Sequence, residues 1–591
     1  MCGIIGYVGH EPAVPIVLDG LKRLEYRGYD SAGIASISDG ILHVAKDTGK
    51  LSEVDQKQGL SQIPGGVALG HVRWATHGAV THKNAHPHLD CHSKLALVHN
   101  GIIDNYQELR RELEARHRFV SETDTEVICH LIEEKLAEGC ASLEEAVLKT
   151  LPQLKGSSAF AVISLAEPNK IVGARKGSPL VVGVGKEFAF LASDSLSFLK
   201  YTNRAIFLED EEVVVVTPHR IGILDREGKK VRRRARKIDW GCEEATKGQS
   251  PYFMLKEIEE EPQVIERALV QNKRLLMELA LDILRAKDIV ITACGTSRYA
   301  ALIGRYLFSK LGGKFCDVVM ASEFQYFADS IDRSTVVIAV SQSGETADVI
   351  EGVKRAKEAG ARVLSIVNVK GSQLCRISDR VIYINCGPEI CVAATKSFVG
   401  QLVVFYLLAF AMSNSLVQGM EELQEIPKLI ANNLRENGLG LKELAERFKN
   451  KEHFYYIARG PNYAIAAEGA LKLKEISYIH AEGMPAGELK HGTLALIEEG
   501  APVVALCPQD HTYSETHGNA LETKARGAFL IGVSDAPSEA FDYWIKIPKV
   551  KEVFYPLIEV VPLQLLAYYL AVARGKDPDH PRNLAKSVTV K

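Results

Sequence analysis

An internal repeat in the C-terminal half constrains the fold of this chain more than any other feature of the sequence. Three segments recur in the same order: 288–297 at 453–462, 336–340 at 503–507, and 363–367 near 529–533. The first pair is offset by 165 residues and the second by 167. Each copy alternates buried β-type runs with helical segments, which is typical of a parallel sheet covered by helices on both faces. The repeat predicts two α/β domains with parallel sheets, over residues 279–420 and 445–580.

The N-terminal part has a different character, because short β-type runs dominate it. Glycines and turn residues separate these runs, which lie at 4–8, 67–70, 94–98 and 159–163. Helices are predicted over 105–116 and 124–138. These elements predict an α+β domain over residues 2–218. Residues 219–278 are predicted to be a linker, and their basic run at 229–237 favours a solvated segment over a phosphate grip, since no aromatic residues interleave it.

Composition restricts the class of protein. The 591 residues suffice for about three or four domains of roughly 100–200 residues each. A net charge of −3 argues against a chain built mainly to bind nucleic acid or an anionic membrane. The eleven cysteines contain no CxxC pair, and the N-terminus lacks a secretory signal, so reduced thiols and a cytoplasmic location are expected. The apolar stretches 398–412 and 557–573 predict buried helices rather than membrane spans.

A segment with hydroxyl side chains follows the second strand of the first repeat. This segment, 341–346, reads Ser-Gln-Ser-Gly-Glu-Thr and precedes a predicted helix over 347–359. The N–H groups at a helix start bind anions, although ordinary N-capping by Ser341 or Ser343 explains the same residues. A second hydroxyl loop, 295–297, follows the neighbouring strand, and two such loops favour a phosphate pocket. The absence of a GxxxxGK[ST] motif argues against a nucleoside triphosphatase.

The second repeat has lost this pattern, because residues 508–512 read Pro-Gln-Asp-His-Thr. We therefore expect that it does not bind phosphate and serves another purpose. Its predicted helix, 464–481, places Glu468, Lys472 and Glu475 on one face. A salt-bridged surface is the ordinary interpretation of such a trio, and the spacing alone does not assign it a role.

Cys2 is the single residue that most specifically indicates a chemical role. Removal of Met1 would leave a thiol and a free α-amine on one residue, and this amine, with a pKa of ~8, can act as a base for its own side chain. Seven histidines between His71 and His99 raise the rival idea of a metal site. No HxxxH or HExxH helix supports a metal there, and the segment is predicted to be strand and loop.

Motifs along essentially the whole chain resemble a known family. Those at 2–6, 24–33, 70–78, 99–101 and 121–126 are similar to class II, N-terminal-nucleophile glutamine amidotransferases. The repeated half resembles paired sugar-isomerase (SIS) domains, and Leu-Ala-Lys-Ser-Val-Thr-Val ends the chain at 584–590. This order resembles the glutamine:fructose-6-phosphate aminotransferases (isomerising), also called glucosamine-6-phosphate synthases. The resemblance implies an α+β N-terminal-nucleophile amidotransferase domain followed by two α/β SIS domains with parallel sheets.

The same resemblance implies the reaction and the residues of a glutamine site. Ammonia from glutamine would be transferred to fructose 6-phosphate and the product isomerised, giving glucosamine 6-phosphate and glutamate for amino-sugar synthesis. Cys2 would attack the glutamine amide, Arg73 would bind the α-carboxylate and Asp124 the α-ammonium. The further residues implied are the oxyanion donors Asn100 and Gly101, the pocket residues Thr76 and His77, and Trp74, which would gate an internal ammonia channel.

In the sugar half, the resemblance implies that Lys586, in a catalytic tail over 581–591, forms a Schiff base with the C2 carbonyl of fructose 6-phosphate. Glu475 would move a proton from C1 to C2, and His491 would assist ring opening from the partner subunit of a homodimer. The sugar-phosphate ligands implied are Ser297, Ser341, Gln342, Ser343, Thr346, Val392 and Lys472, with Glu468 beside them. No cofactor and no metal are implied. Where the family commonly has a serine, this chain has Ala394, which lacks the hydroxyl.

Two alternatives stay open from the sequence. Another amidotransferase would carry an SGGxDS pyrophosphatase loop or an acidic diphosphate loop, and neither occurs between 220 and 591. A sugar-phosphate sensor would use the SIS domains for binding alone, and would tolerate loss of Lys586. The presence of Cys2, Glu475 and Lys586 in one chain argues against a sensor.

Overall fold

The structure is a computed structural model that describes residues 2–238 and 246–589. The chain divides into two compact units, the first comprising residues 1–245 and 585–591 and the second residues 246–584. The predictions that concern Met1, the linker residues 239–245 and the tail residues 590–591 lie outside the described residues.

The first unit contains two antiparallel sheets and five helices in its described part. Its strands are β1 (Gly3–Val8), β2 (Ser31–Ser38), β3 (Ile41–Thr48), β4 (Val67–Arg73), β5 (His88–Leu89), β6 (Leu95–Ile103), β7 (Gly156–Ser164), β8 (Ile171–Lys176), β9 (Val181–Val184), β10 (Ala189–Ala192), β11 (Arg204–Phe207), β12 (Glu212–Val216), β13 (Ile221–Leu224), β14 (Lys230–Val231) and β15 (Arg236–Lys237). Its helices are α1 (Ala13–Leu24), α2 (Leu51–Gln58), α3 (Tyr106–Leu113), α4 (Glu126–Ala137) and α5 (Leu143–Thr150).

The two sheets of this unit stack between layers of helices. The eight-stranded sheet has the order β15-β11-β9-β10-β1-β4-β2-β3, and the seven-stranded sheet has the order β14-β13-β12-β8-β7-β6-β5. One apolar cluster joins α1 and α2 to the first sheet, a second lies between the sheets, and a third joins the other sheet to α4 and α5. Because β1 is covered on both faces, all six of its residues are buried. The predicted α+β fold is confirmed.

Much of the described part of the expected linker, 219–278, is regular structure. Strands β13, β14 and β15 pair with strands of both sheets of the first unit. The basic run therefore lies partly in strand edges, and Arg233 forms ion pairs with Glu209 and Glu212. Helices resume at Phe253 in the second unit. The domain boundaries themselves stay predictions.

The second unit begins with α6 (Phe253–Glu259), α7 (Glu261–Leu269) and α8 (Lys273–Arg285) and then passes through both repeats. The elements of the first repeat are β16 (Asp288–Ala293), α9 (Gly295–Lys310), β17 (Asp317–Met320), β18 (Thr335–Ser341), α10 (Ala347–Glu358), β19 (Arg362–Val367), α11 (Gln373–Ile377), β20 (Arg380–Tyr383), α12 (Lys396–Met412) and α13 (Leu416–Leu423). Those that come after them are α14 (Ile426–Phe448), β21 (His453–Ala458), α15 (Pro461–Ser477), β22 (His480–Pro485), β23 (Pro502–Leu506), α16 (Tyr513–Lys524), β24 (Phe529–Ser534), β25 (Tyr543–Lys546) and α17 (Tyr555–Ala573).

The predicted repeat is confirmed, because the two sheets have the same topology. Their orders are β17-β16-β18-β19-β20 and β22-β21-β23-β24-β25, and every pairing within them is parallel. The central strands β18 and β23 are buried along their whole length. Helices on both faces produce the continuous apolar runs that the sequence shows.

The two apolar stretches are buried helices, as predicted. Every residue of α12 is buried. The helical stretch Glu552–Ala573 is long and apolar enough to cross a membrane by length and composition, but 83% of its most apolar window is buried inside the structure. The predicted helix over 464–481 was wrong at its C-terminal end, because α15 ends at Ser477 and Tyr478 adopts a left-handed conformation with φ +62°.

Candidate active sites

Cys2 lies directly before β1, at the centre of the eight-stranded sheet of the first unit. Its thiol lies 3.4 Å from the carbonyl oxygen of Trp74 and accepts a hydrogen bond from the Trp74 N–H at 3.3 Å. Ser193 fixes the start of β1, since its hydroxyl accepts the N–H of Ile4 at 3.0 Å. Burial raises the pKa of the Cys2 thiol, while the Trp74 N–H and the Arg73 guanidinium oppose this shift.

The Asn100 side chain lies against Cys2 with a defined orientation. Its amide nitrogen donates to the Cys2 carbonyl at 2.9 Å, and its oxygen lies 3.1 Å from Nε2 of His71. Burial lowers the pKa of His71 to about 3, so the imidazole is neutral at pH 7. Because Nε2 also lies 3.0 Å from the His99 carbonyl, it must carry the proton and donate. His71 thus turns the amide N–H₂ of Asn100 toward Cys2.

Gly101 follows Asn100 in β6 and cannot be replaced without strain. Its φ is +129°, and a Cβ there would lie 1.9 Å from the carbonyl oxygen of Ser157 in β7. Only glycine fits this conformation and this close approach of two strands. The bend places Asn100 and Gly101, the two predicted oxyanion donors, in succession along one strand.

Arg73 ends β4 and holds the loop that comes after it. Its guanidinium is buried and donates to the carbonyl of His77 at 2.5 Å and to that of Gly78 at 3.3 Å. From the other side, the Asp30 carboxylate accepts the N–H of Ala75 at 2.8 Å. The predicted pocket residue Thr76 is exposed, and the His77 ring packs edge-on against Tyr106 with centroids 5.1 Å apart.

Asp124 is buried at the edge of the same strand system. Its carboxylate accepts the N–H of Ile103, the last residue of β6, at 2.8 Å. The turn that carries Asp124 is held by Glu126, which accepts the N–H groups of Val120 and Ser121 and the Ser121 hydroxyl. Local hydrogen bonds therefore fix the position of this carboxylate before any ligand binds.

Three histidines of the segment 71–99 form a buried stack. His71 and His86 are stacked with centroids 4.1 Å apart, and His86 contacts His88 edge-on at 4.7 Å. Burial lowers the pKa of all three, and hydroxyl groups of Thr123 and Thr125 contact the ring nitrogens of His88 and His86. These histidines are neutral packing groups whose hydrogen bonds go to the protein.

In the second unit, the segment 341–346 is organised by its own hydroxyl groups. Ser341 ends β18, and its buried hydroxyl accepts the N–H of Gly344 at 3.0 Å and contacts the Thr346 hydroxyl at 2.8 Å. Ser343 accepts the N–H of Glu345 at 3.2 Å. Helix α10 has Thr346 as its N-cap residue and no side-chain cap, so N-capping by Ser341 or Ser343 was wrong. The N–H groups of the first turn of α10 stay available to an anion.

Neighbouring segments of the first repeat hold the other predicted sugar ligands. Gln342 is half-buried, and its carbonyl accepts the N–H of Asn368 at 3.0 Å. Ser297 lies in the first turn of α9, not in a loop, and accepts Gln401 at 3.0 Å. Val392 is buried in a segment that Glu389 fixes by accepting the N–H groups of Thr395 and Ser397. Ala394 of the same segment is half-buried.

Glu468, Lys472 and Glu475 form a buried ionic network, so their ordinary interpretation as surface residues was wrong for the first two. The side chains of Glu468 and Lys472 are 0% and 1% exposed, and that of Glu475 is 21% exposed. Lys472 Nζ lies 2.5 Å from Glu475 Oε2 and 3.0 Å from the Thr296 hydroxyl, which donates to Glu468 at 3.1 Å. Helix α15 of the second repeat is thereby joined to the start of α9 in the first.

The charges within this network are strongly coupled. Burial raises the pKa of Glu468 to about 8, although the Lys472 ammonium counteracts it. Burial works against the charge of Lys472, but the carboxylates of Glu468 and Glu475 outweigh it and raise the pKa of the ammonium. Lys472 is therefore charged at pH 7. The network offers a carboxylate, Glu475, that reaches solvent while an ammonium ion fixes its position.

In the corresponding loop of the second repeat, a side-chain carboxylate accepts the hydrogen-bond donors. Asp510 accepts the N–H and the hydroxyl of Thr512 at 2.8 and 2.7 Å, and the Asn462 amide at 2.8 Å. A carboxylate here satisfies the donors that a phosphate would need, which supports the expectation that this loop does not bind phosphate.

The two remaining predicted residues are His491 and Lys586. His491 is exposed at the end of a short 3₁₀ helix, Ala486–His491. Lys586 is half-buried and belongs to the segment 585–591 that groups with the first unit.

Comparison with known proteins supplies the family. The glutamine amidotransferase domain matches residues 71–200, and the SIS domain matches residues 282–411 and 447–574. The chain is 48% identical to the glutamine–fructose-6-phosphate aminotransferase [isomerizing] of Thermococcus kodakarensis and 46% identical to that of Thermus thermophilus, with 100% of both chains covered in each comparison.

The chain belongs to this aminotransferase family.

It is therefore an enzyme, and the family identified from its motifs is confirmed. The hypothesis of a sensor without turnover loses its support, because relatives of the same full length carry the name of an aminotransferase.

Solved structures agree with the fold of the second unit. The C-terminal domain of glucosamine-fructose-6-phosphate aminotransferase from Francisella tularensis is 35% identical with a TM-score of 0.53, covering 57% of this chain and all of that one. Tagatose-6-phosphate ketose/aldose isomerase from Escherichia coli has a TM-score of 0.50 at 18% identity, covers 56% of this chain and 96% of its own, and shows likeness of fold alone.

Sequence reasoning missed several residues that position the site. Asp30 and His71 lie inside the family motifs at 24–33 and 70–78, but no role was predicted for either. Glu389 and Gln401 lie outside every motif. Their signal in the sequence is weak, because a polar residue in an apolar stretch does not reveal which N–H groups or hydroxyls it will meet.

Proposed function

We propose that this enzyme transfers the amide nitrogen of glutamine to fructose 6-phosphate and isomerises the product to glucosamine 6-phosphate, with release of glutamate. One observation carries the proposal. The chain matches named aminotransferases from end to end, with a thiol centre in its first unit and a buried acid–base network in its second.

In the proposed glutamine reaction, the mature enzyme begins at Cys2. The thiolate attacks the side-chain amide carbon, and the α-amine takes the thiol proton and passes it to the leaving ammonia. A thioester remains, and water hydrolyses it to glutamate. Arg73 and Asp124 would bind the α-carboxylate and α-ammonium groups, with Thr76 and His77 beside them. To bind the substrate, the Arg73 guanidinium must give up its hydrogen bonds to the carbonyls of His77 and Gly78 and donate to the substrate carboxylate instead.

The oxyanion of the tetrahedral intermediate would be stabilised by the Asn100 amide and the Gly101 N–H. The His71 contact supports this role, because it holds the donating end of Asn100 toward Cys2. A donor already oriented in this way needs no reorganisation during the reaction, and such donors contribute ~10²–10³ in rate.

In the proposed sugar reaction, phosphate would bind at the start of α10 through Ser341, Gln342, Ser343 and Thr346, with Ser297 and Val392 lining the site. Lys586 would form a Schiff base at C2 of the open-chain ketose with loss of water, and ammonia would then add to that carbon and displace the lysine amine, giving the imine. Glu475 would then remove a proton from C1 and return it to C2, giving the aldose amine. The Lys472 ammonium, 2.5 Å from Glu475, holds the carboxylate in place and would stabilise negative charge that develops on the sugar.

Further parts of the proposal rest on the family pattern. Lys586 would form a Schiff base with C2 before ammonia arrives, Trp74 would gate the passage of ammonia, and His491 would assist ring opening in the partner subunit of a homodimer. We also place the enzyme in the cytoplasm, in keeping with the free thiols among its described cysteines.

The test is a coupled assay with glutamine and fructose 6-phosphate in which glutamate and glucosamine 6-phosphate are quantified together. We expect equal yields, both abolished by Cys2→Ala. Asn100→Ala should slow glutamine hydrolysis by ~10²–10³. Glutamate without any amino sugar in the presence of fructose 6-phosphate would contradict the proposal for the second unit and leave the amidase proposal intact.

Mixed dimers test the place of His491. His491→Ala and Glu475→Gln should each be inactive in sugar synthesis alone. A hybrid dimer would contain one complete site if His491 acts across the interface, so co-expressed and mixed subunits should recover about a quarter of wild-type activity. No recovery in verified hybrid dimers would assign His491 to its own subunit.

A further inference from the structure

A second cluster of reactive side chains lies in the first unit, away from Cys2. Cys91 lies in the turn between β5 and β6, His117 follows α3, and His130 and Glu133 lie one turn apart on α4. Among the described residues, these four form a group whose candidate ligand atoms all lie within 4.8 Å of one another. Three separate segments of the chain thus direct sulfur, nitrogen and oxygen atoms to one point.

Two sulfur–nitrogen distances within the cluster fit a tetrahedral metal ion. Cys91 Sγ lies 3.5 Å from Nδ1 of His117 and 3.7 Å from Nδ1 of His130. Tetrahedral zinc with ordinary Zn–S and Zn–N bond lengths requires a sulfur–nitrogen separation of ~3.6 Å. Glu133 Oε2 lies 2.9 and 3.0 Å from the same two Nδ1 atoms, so a small shift of this flexible carboxylate completes the set.

The outer nitrogens of both histidines face carboxylates. His117 Nε2 lies 3.4 Å from Glu134, and His130 Nε2 lies 3.7 Å from Glu126. If each Nδ1 carried the proton of a neutral imidazole, each bare Nε2 would face another acceptor. If each Nδ1 binds a metal, each Nε2 carries its proton and has a carboxylate 3.4 or 3.7 Å away, near the position of the usual outer partner of a histidine ligand. Proton balance thus favours a cation at the centre or two imidazolium ions packed 4.8 Å apart.

We propose that Cys91, His117, His130 and Glu133 bind a divalent transition-metal ion of the zinc type. Thiolate and imidazole ligands select such an ion over magnesium or calcium. Cys91 is exposed and provides an entry path, while His130 is 1% exposed and ties the ion to the core of α4. The ion cross-links the 91–94 turn, the segment after α3 and α4, so its role is structural.

No sequence pattern pointed to this site, because the four residues form no compact motif and Cys91 and His130 are 39 positions apart. The expectation of no metal came from the histidines of 71–99 and from the family resemblance. Cys91 is the one member of the four-residue cluster that lies within residues 71–99. The histidine stack and the Cys91 cluster are different groups, and the proposal concerns only the second.

Cobalt(II) is the probe for the experiment, because a tetrahedral cobalt–thiolate site gives intense visible d–d bands and a near-ultraviolet charge-transfer band. The full chain is used in a Cys2→Ala background, which removes the reactive thiol of the amidase centre as a competing ligand. We expect one cobalt equivalent to bind with both sets of bands and one zinc equivalent to displace it.

Cys91→Ser should remove the charge-transfer band and weaken zinc binding by at least ~100-fold, since loss of an outer partner alone costs 10–100-fold. Cys140→Ser is the matched control, a thiol of the same unit outside the cluster, and should leave both unchanged. Zinc should raise the thermal midpoint of the Cys140→Ser protein but not of the Cys91→Ser protein.

Two results would overturn the proposal. Absence of the charge-transfer band in the Cys2→Ala protein would show that the cluster is a hydrogen-bonded group with protonated histidines. Persistence of the band in the Cys91→Ser protein would place the cobalt at another thiol. Because Cys91 is exposed, its replacement by serine is not expected to prevent folding, and circular dichroism checks this directly.

Discussion

The two repeats of the second unit share one sheet topology and differ in the loops that connect their strands to their helices. In the first repeat, the hydroxyls of Ser341 and Thr346 bind each other and leave the N–H groups at the start of α10 to an external anion. In the second, the Asp510 carboxylate occupies the equivalent loop and binds Asn462 and Thr512. The first-repeat loop leaves N–H donors for an external anion, whereas in the second-repeat loop the Asp510 carboxylate already accepts the neighbouring donors.

The difference teaches how a duplicated fold divides one task. The second repeat contributes through its helix α15, whose Glu468 and Lys472 contact Thr296 at the start of α9. The first repeat thus offers the proposed phosphate site, and the second offers the proposed acid–base residues. Since the sheets are alike, the division lies entirely in loops and in one helix face.

The largest expected effect comes from removing the carboxylate of Glu475, the proposed base. Glu475→Gln should lower the rate of glucosamine 6-phosphate formation by ~10²–10⁴, the range for loss of a general acid–base group. Glutamine hydrolysis should persist, because its centre lies in the other unit. The exposed Glu539→Gln is the matched control. A Glu475→Gln enzyme with the full synthetic rate would remove the second repeat from the chemistry.

Removal of the buried ammonium should act mainly on stability. Lys472→Met removes the cation that pairs with Glu475 and the donor to Thr296, which should cost ~1–3 kcal/mol in the free energy of unfolding. The double variant Lys472→Met/Glu475→Gln should regain part of that loss, since the carboxylate that needed the cation is gone. Denaturant unfolding followed by fluorescence measures both, and equal losses in the single and double variants would contradict the coupling.

The second-repeat loop is expected to matter for folding and not for substrate affinity. Asp510→Ala leaves the Thr512 N–H without an acceptor and the Asn462 amide with only its 3.4 Å contact to the Thr512 hydroxyl, which should cost ~1–3 kcal/mol of stability. The KM for fructose 6-phosphate should stay at the wild-type value. A large rise in KM, measured at saturating glutamine, would show that both repeats bind the sugar phosphate.

The first-repeat loop should show the opposite pattern. Ser341→Ala removes one hydroxyl ligand and the acceptor of the Gly344 N–H, and we expect the KM for fructose 6-phosphate to rise ~10-fold, with a smaller change in kcat. Steady-state kinetics and inorganic phosphate as a competing ligand measure the effect. An unchanged KM would mean that the α10 N–H groups bind the phosphate without this hydroxyl.

Glu468 should also change how the free energy of unfolding depends on pH. A carboxyl whose pKa is raised by folding, from 4.5 to about 8 for Glu468, binds its proton more tightly in the folded state. The free energy of unfolding therefore falls as pH rises through this interval. Glu468→Gln does not titrate, so its stability should fall less than that of the wild type between about pH 4.5 and about pH 8. If the free energy of unfolding had the same pH dependence in both proteins, the raised pKa of Glu468 would be contradicted.

Much of the architecture could be predicted from the sequence. The offset between the repeats located β16, β18 and β19 to within one residue, because strands covered on both faces must be continuously apolar. The anion loop was also found, since hydroxyls between a strand and a helix are a local signal. The prediction of a loop over residues 295–297 was wrong, because α9 already begins at Gly295. A glycine followed by two hydroxyl residues is a pattern that is also typical of loops.

The burial of α15 could not be predicted in the same way. Periodicity predicts one buried face, but this helix is covered on several sides because its small residues Ala466, Ala467 and Gly469 let neighbours approach closely. Burial of Glu468 and Lys472 depends on contacts with α9, which lies more than 150 positions earlier in the chain. No local pattern contains that information.

The Thr296 hydroxyl donates to Glu468 and accepts from Lys472, so both hydrogen bonds depend on the spacing between the two repeats. A separation of one or two ångströms would break both bonds and admit water to the buried Glu468 carboxyl and to the Lys472 ammonium, which holds Glu475 in place. If Glu475 moves the proton as proposed, a ligand that separates the two repeats is expected to stop the sugar reaction without contacting the sugar.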